Sequence, residues 1–265
     1  MCPSAARLPG LMPSPLVAHC LVVEGPDGLT LVDTGFGLVD VEDGGRRLGR
    51  PFMALAGVRL DRAETAIEQV RALGHEPADV RHIVVTHLDL DHAGGLADFP
   101  RARVHVHRAE LDAARHPDRR ERLRYVPAQW AHHPHWVEHT AGGDDWFGFA
   151  SVQAVGEDVL MVPLHGHTRG HCGVAVRRPG GGWLLHAGDA YFSTGDKCTP
   201  RSCPPGVRAY QAGLAVDGRQ RRHNLARLQE LHQQHGGEQH GDEPDQGVTM
   251  FCAHDRSEFE ALKSS

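Results

Sequence analysis

Directly behind the apolar run Ile83–Thr86 stands the stretch HLDLDH, which packs His87, Asp89, Asp91 and His92 into six positions. Burying that many polar groups is costly unless they are paired with one another or with a metal. At the end of an extended strand, side chains alternate with period two, so His87 and Asp89 can face one centre while Leu88 and Leu90 face the core. Asp91 and His92, as sequence neighbours where the chain turns, aim in different directions and suit a second centre a few Å away. Imidazole and carboxylate are ligands for Zn²⁺, Fe²⁺ or Mn²⁺, and a catalytic ion needs three protein ligands and an open position. Four residues cannot serve two ions. Further ligands are expected at other strand ends, and candidates occur there: His165, His167 and His171 in PLHGHTRGH, Asp189 in LLHAGDAYF, and His254 in TMFCAHD.

The 265 residues are 40% hydrophobic and 23% charged, a balance that fits one large globular domain. A formal charge of −6 argues against nucleic acid, and the short basic runs DRRER and GRQRR read as solvated faces. Cysteines at 2, 20, 172, 198, 203 and 252 form no C-x-x-C pair, so reduced thiols in a cytoplasmic protein are expected. The proline-broken start MCPSAARLPGLMPSPLVAH lacks a continuous apolar stretch, and no segment approaches the ~20 apolar residues of a membrane span. Secretion and membrane insertion are therefore not expected. Many of the 21 histidines sit in polar stretches such as AHHPHW and ELHQQHGGEQH, so position decides which of them matter.

VAHCLVVEG and LTLVDTG, joined by Pro26-Asp27-Gly28, predict an opening hairpin. Helices are expected over 61–73, 108–115 and 222–235, with a helical start in AGGLADF. Strands are expected at HIVVT, ARVHVH, DVLMVPL, CGVAVRR, GWLLHAG and VTMFCAH. The segment 116–149 reads as a surface insertion and GGEQHGDEPDQG as a flexible loop. Two rounds of strands followed by helices fit two sheets packed face to face with helices outside.

Five motifs in order, LVDTGFG, HLDLDH, GHTRGH, AGDAYF and CAHD, resemble those of the metallo-β-lactamase-fold hydrolase superfamily, near its hydroxyacylglutathione hydrolase and quorum-signal lactonase branch. The resemblance runs from about Leu29 to His254 and implies an α/β fold, a four-layer αββα sandwich, in a single domain over 1–265 with substrate-side insertions near 116–149 and 193–220. It implies that His87, Asp89 and His167 bind one metal and Asp91, His92 and His254 a second, with Asp189 bridging and Asp33 orienting. Tyr191 is expected to meet a substrate carbonyl oxygen, because related lactonases keep a tyrosine nearby.

This chain departs from the family pattern at two positions. Asp89 replaces the usual second histidine of H-x-H-x-D-H, and His165 the usual proline before G-H-T. Three carboxylates at 89, 91 and 189 facing two divalent ions and a bridging hydroxide sum to zero charge, which lowers Lewis acidity and favours harder ions. Two divalent metals are expected, zinc first, with iron or manganese admitted by Asp89. The implied chemistry is attack by a metal-bridging hydroxide on a small ester, lactone or thioester, with Asp91 carrying a proton to the leaving group. Candidate apolar walls for the substrate are Trp130, Trp136, Trp146 and Phe147. The alternative is an iron-dependent persulfide dioxygenase or other non-haem iron oxidoreductase on the same fold. The partner is a small molecule, with no nucleic acid and no membrane; a homodimer is left open. His19, His82, His105, His107 and His186 match no ligand position, His171 reads as a hydrogen-bond partner of the site, and Cys198 and Cys203 have the wrong spacing for a zinc knuckle.

Overall fold

Gly28 makes the first reversal possible: its φ of +122° is a conformation that L side chains rarely adopt. It closes the antiparallel hairpin of β1 (Leu21–Gly25) and β2 (Gly28–Val32). In the computed structural model, residues 16–50, 53–54, 57–140, 142–143, 145–236 and 247–263 are described. The chain divides into two units, Met1–Glu138 and His139–Ser265.

In the first unit, β2 continues into α1 (Leu38–Gly44), a π-helical turn at Gly45–Gly49, and α2 (Ala66–Ala72). β3 (Val80–Val84) then lies parallel to β2, and β4 (Arg103–His107) parallel to β3, before α3 (Arg108–Arg115). With β5 (His135–His139) the sheet order is β1-β2-β3-β4-β5. Parallel strands require helical crossovers that cover the sheet, which is why these strands are apolar runs. Leu29, Leu31, Ile83, Val104 and Val106 are buried with Ile67 and Val70 of α2 and Leu111 of α3. Each such side chain contributes about 1.5–3 kcal/mol of burial. The helix expected over 61–73 is split, because Asp61 caps a 3₁₀ turn through Ala63 N–H and Thr65, at ψ 148°, turns the chain extended before α2. The 116–149 segment is not purely superficial, since Glu121, Tyr125 and Gln129 are all buried.

The second unit has β6 (Asp145–Trp146) paired with β7 (Phe149–Ala150), and a sheet of order β12-β11-β10-β9-β8. Its strands are β8 (Val152–Val155), β9 (Val159–Pro163), β10 (Cys172–Arg177), β11 (Trp183–His186) and β12 (Val248–Phe251). Only the β11–β12 pair among these is parallel. Between β11 and β12 come α4 (Thr194–Lys197), α5 (Pro205–Leu214) and α6 (Gly218–His235), and α7 (Arg256–Lys263) follows β12. Asp217 caps α6 by accepting from Arg219 and Gln220 N–H, so the helix starts four residues earlier than its apolar period suggested. Leu225, Leu228 and Leu231 of α6 enter a core with Val162, Leu185 and Met250.

Residues 1–15 and 237–246, the latter most of the stretch GGEQHGDEPDQG expected to form a loop, lie outside the described residues. Among the described residues, no helix is long and apolar enough to cross a membrane.

Candidate metal centre

The first unit assembles its polar cluster just past the carboxyl end of β3, where parallel sheets leave room for ligands. Asp33, at the end of β2, is its organiser. The Asp33 carboxylate accepts from Thr86 N–H at 2.7 Å, from the Thr86 hydroxyl at 2.8 Å and from His92 Nδ1 at 2.8 Å. Because the Thr86 hydroxyl proton goes to Asp33, its oxygen accepts from His87 Nδ1, 2.9 Å away. Both imidazoles therefore carry their proton on Nδ1, which makes Nε2 the basic nitrogen. His87 Nε2 turns to Asp89 Oδ2 at 3.3 Å, and His92 Nε2 to Asp91 Oδ1 at 3.9 Å. Asp33 adopts φ +57°, an unfavourable backbone that aspartate tolerates better than most residues. The Thr34 backbone N–H and hydroxyl both donate to the His92 carbonyl at 2.9 Å. This close approach demands Gly94, where a Cβ would stand 2.7 Å from the Gly35 carbonyl oxygen.

A cation absent from the sequence-based charge count stands on Asp89. Arg124 Nη1 donates to Asp89 Oδ2 at 2.8 Å, and both side chains are largely buried, at 10% and 14% exposure. The same turn grips the backbone next door, since Glu110 Oε1 accepts from Leu88 N–H at 2.9 Å and from the Tyr125 hydroxyl at 3.1 Å. Gln129 Nε2 donates to the Leu90 carbonyl at 2.8 Å. No ligand-like spacing marks these residues.

In the second unit, His167 lies in the β9–β10 loop, Asp189 follows β11 and His254 follows β12. His167 Nε2 stands 3.3 Å from Asp189 Oδ2, and His254 Nε2 stands 3.1 Å from the same carboxylate. His171 orients Asp189 from behind: its Nδ1 donates to the Leu164 carbonyl at 3.0 Å, so Nε2 accepts Asp189 N–H at 2.8 Å. His165 Nδ1 meets the His171 carbonyl at 3.1 Å. Gly166, at φ +130°, packs directly on the Arg221 backbone where no Cβ fits.

The Tyr191 hydroxyl donates to Glu258 Oε1 at 3.2 Å, and the side chain is fully buried. Glu258 also accepts from Lys197 Nζ at 2.6 Å and Cys252 N–H at 2.7 Å. Of the histidines set aside earlier, His107 caps α3, His186 accepts from Gly188 N–H, and His82 pairs with His105 at 2.9 Å. The Cys203 thiol is pushed up to about 12, chiefly by burial and then by Asp196, which disfavours the thiolate a metal would need.

The donor chemistry fits divalent metal: in the first unit, imidazole Nε2 atoms meet carboxylate oxygens while a buried carboxylate holds Nδ1, the arrangement that fixes a metal-ligating tautomer.

The sequence profile of the metallo-beta-lactamase superfamily matches residues 13–233, and the chain belongs to that family. It has the metallo-β-lactamase fold and is a metal-dependent hydrolase of that superfamily. Among its relatives, a probable metallo-hydrolase of Mycobacterium tuberculosis is 45% identical over 255 residues, 94% of this chain and 78% of that one. An N-acyl homoserine lactonase AttM of Rhizobium johnstonii is 30% identical over 174 residues, 65% of this chain and 64% of that one. A solved N-acyl homoserine lactone hydrolase, with the product N-hexanoyl-L-homoserine bound at its catalytic metal centre, shares the fold at TM-score 0.69 and 20% identity, covering 100% of this chain and 94% of that one.

Proposed function

We propose that this chain is a binuclear metallo-hydrolase of a small ester, lactone or thioester. His87, Asp89 and His167 would hold one ion, Asp91, His92 and His254 the other, and Asp189 would bridge them. The observation that carries this reading is the Asp33 carboxylate, which through His92 Nδ1 and the Thr86 hydroxyl presents two buried imidazoles by their Nε2 atoms. When bound, the ions supply an activated water and polarise the carbonyl oxygen. Asp91, at 30% side-chain exposure against 14% for Asp89, is the more open carboxylate and the one able to pass a proton to a leaving group. Relatives named as N-acyl homoserine lactonases favour lactones within the ester class.

Protein purified without added metal should carry close to two divalent ions per chain, with zinc leading. It should cleave members of a lactone, thioester and p-nitrophenyl ester panel, and lose that activity on chelation and on Asp189→Ala. Bound metal without hydrolysis anywhere on the panel would refute the proposal. The carboxylate at Asp89 keeps one second reading, an iron-dependent persulfide dioxygenase. Iron in anaerobically prepared protein, together with oxygen uptake on glutathione persulfide, would favour it.

A further inference from the structure

Asp89 stands where the family pattern has a neutral imidazole, and it does not stand alone. The Arg124 guanidinium, charged at any working pH, donates to Asp89 Oδ2 at 2.8 Å, while the same oxygen lies 3.3 Å from His87 Nε2. With both side chains largely withdrawn from water, this charge is poorly screened.

The turn that delivers Arg124 is also held. Arg124 N–H donates to the Glu121 carbonyl at 2.9 Å, and buried Glu121 accepts from Asp118 N–H through its carboxylate at 2.9 Å. The next residue, Tyr125, reaches Glu110, which holds Leu88 N–H beside the carboxylate in question. A mobile surface pair would have none of these restraints.

We propose that Arg124 is the built-in charge partner of Asp89, so that the two together serve the metal centre as one ligand of near-zero net charge, as an imidazole would. Arg124 is thus a positioning residue: it acts through Asp89 and does not touch substrate. The inference rests on the binuclear reading above, and it revises the charge count made from the sequence. The acidic ligand no longer makes the centre more anionic than its all-imidazole counterpart, so Asp89 gives no charge-based reason to abandon zinc.

The test is a double-mutant cycle read as Zn²⁺ affinity, by competition with a chromophoric chelator, for wild type, Asp89→His, Arg124→Gln and the double variant. Asp89→His alone leaves a guanidinium facing a cation across a neutral ring and should weaken binding. In the Arg124→Gln background the same change should cost about tenfold less, as expected of coupled neighbours. The visible spectrum of the Co²⁺-loaded protein should move in Arg124→Gln. Arg124→Met repeats the cycle if the glutamine variant does not fold. Wild type that binds no metal overturns the binuclear reading itself. Wild type that binds two ions, with penalties at 89 and 124 that simply add, overturns the charge-partner assignment alone.

Discussion

Asp33 is the residue whose chemistry can be isolated most cleanly. Replacing it with asparagine keeps the shape and the tolerance for φ +57°, but it puts an amide where His92 Nδ1 now donates. If the amide NH₂ faces the ring, the imidazole proton moves to Nε2, the atom meant for the metal. We expect Asp33→Asn to lower metal affinity by about 10–100-fold, measured by chelator competition, with little change in the midpoint of the metal-free protein. Asp98 offers a pH test away from the centre. Burial, with the nearby Asp40 and Glu42 carboxylates, pushes its carboxyl up from 3.8 to about 6 against the opposing hydrogen bond from Leu38 N–H at the start of α1. The folded pKa exceeds the unfolded one, so this group's stabilisation is complete below pH 3.8 and is lost as pH rises through about 6. Asp98→Asn should match wild type in stability near pH 4 and exceed it above pH 6, by at most about 3 kcal/mol. Urea unfolding at the two pH values would check this.

At the scale of elements, Glu258 on α7 ties three segments together through Lys197 at the end of α4, Tyr191 after β11 and Cys252 after β12. Breaking a buried ion pair leaves an uncompensated charge, so Glu258→Leu should cost about 3–5 kcal/mol. Adding Lys197→Met should restore part of that loss, and equilibrium unfolding of the single and double variants measures both. Elements with strong local pattern were legible in advance, including the β1–β2 hairpin, β3, β4, α3, β9, β10, β11 and β12. All seven candidate ligands sit just beyond strands recognisable as apolar runs. What was not legible had no period to read. The turn at Glu121–Tyr125 joins the HLDLDH segment through side chains 15 and 35 residues apart, and α5 lies within the stretch 193–220 that reads as an insertion. Nearness in sequence to Asp189 says nothing about which way the Tyr191 ring turns. Glu258, its partner, lies 67 residues on.

For the whole molecule, each of the two units has its own sheet and its own buried cluster. Ions bound only by the folded protein stabilise it by mass action, about 2.7 kcal/mol per site at a hundredfold excess over Kd. Calorimetry should therefore give a lower midpoint after chelation, recovered on adding Zn²⁺; an unchanged midpoint would count against the proposed metal binding. The turn bearing Arg124, Tyr125 and Gln129 also bears on engineering. A stretch that looks like an ideal place to graft a foreign specificity loop in fact braces the HLDLDH segment, so libraries aimed at new substrates should spare positions 121–129 and diversify beyond them.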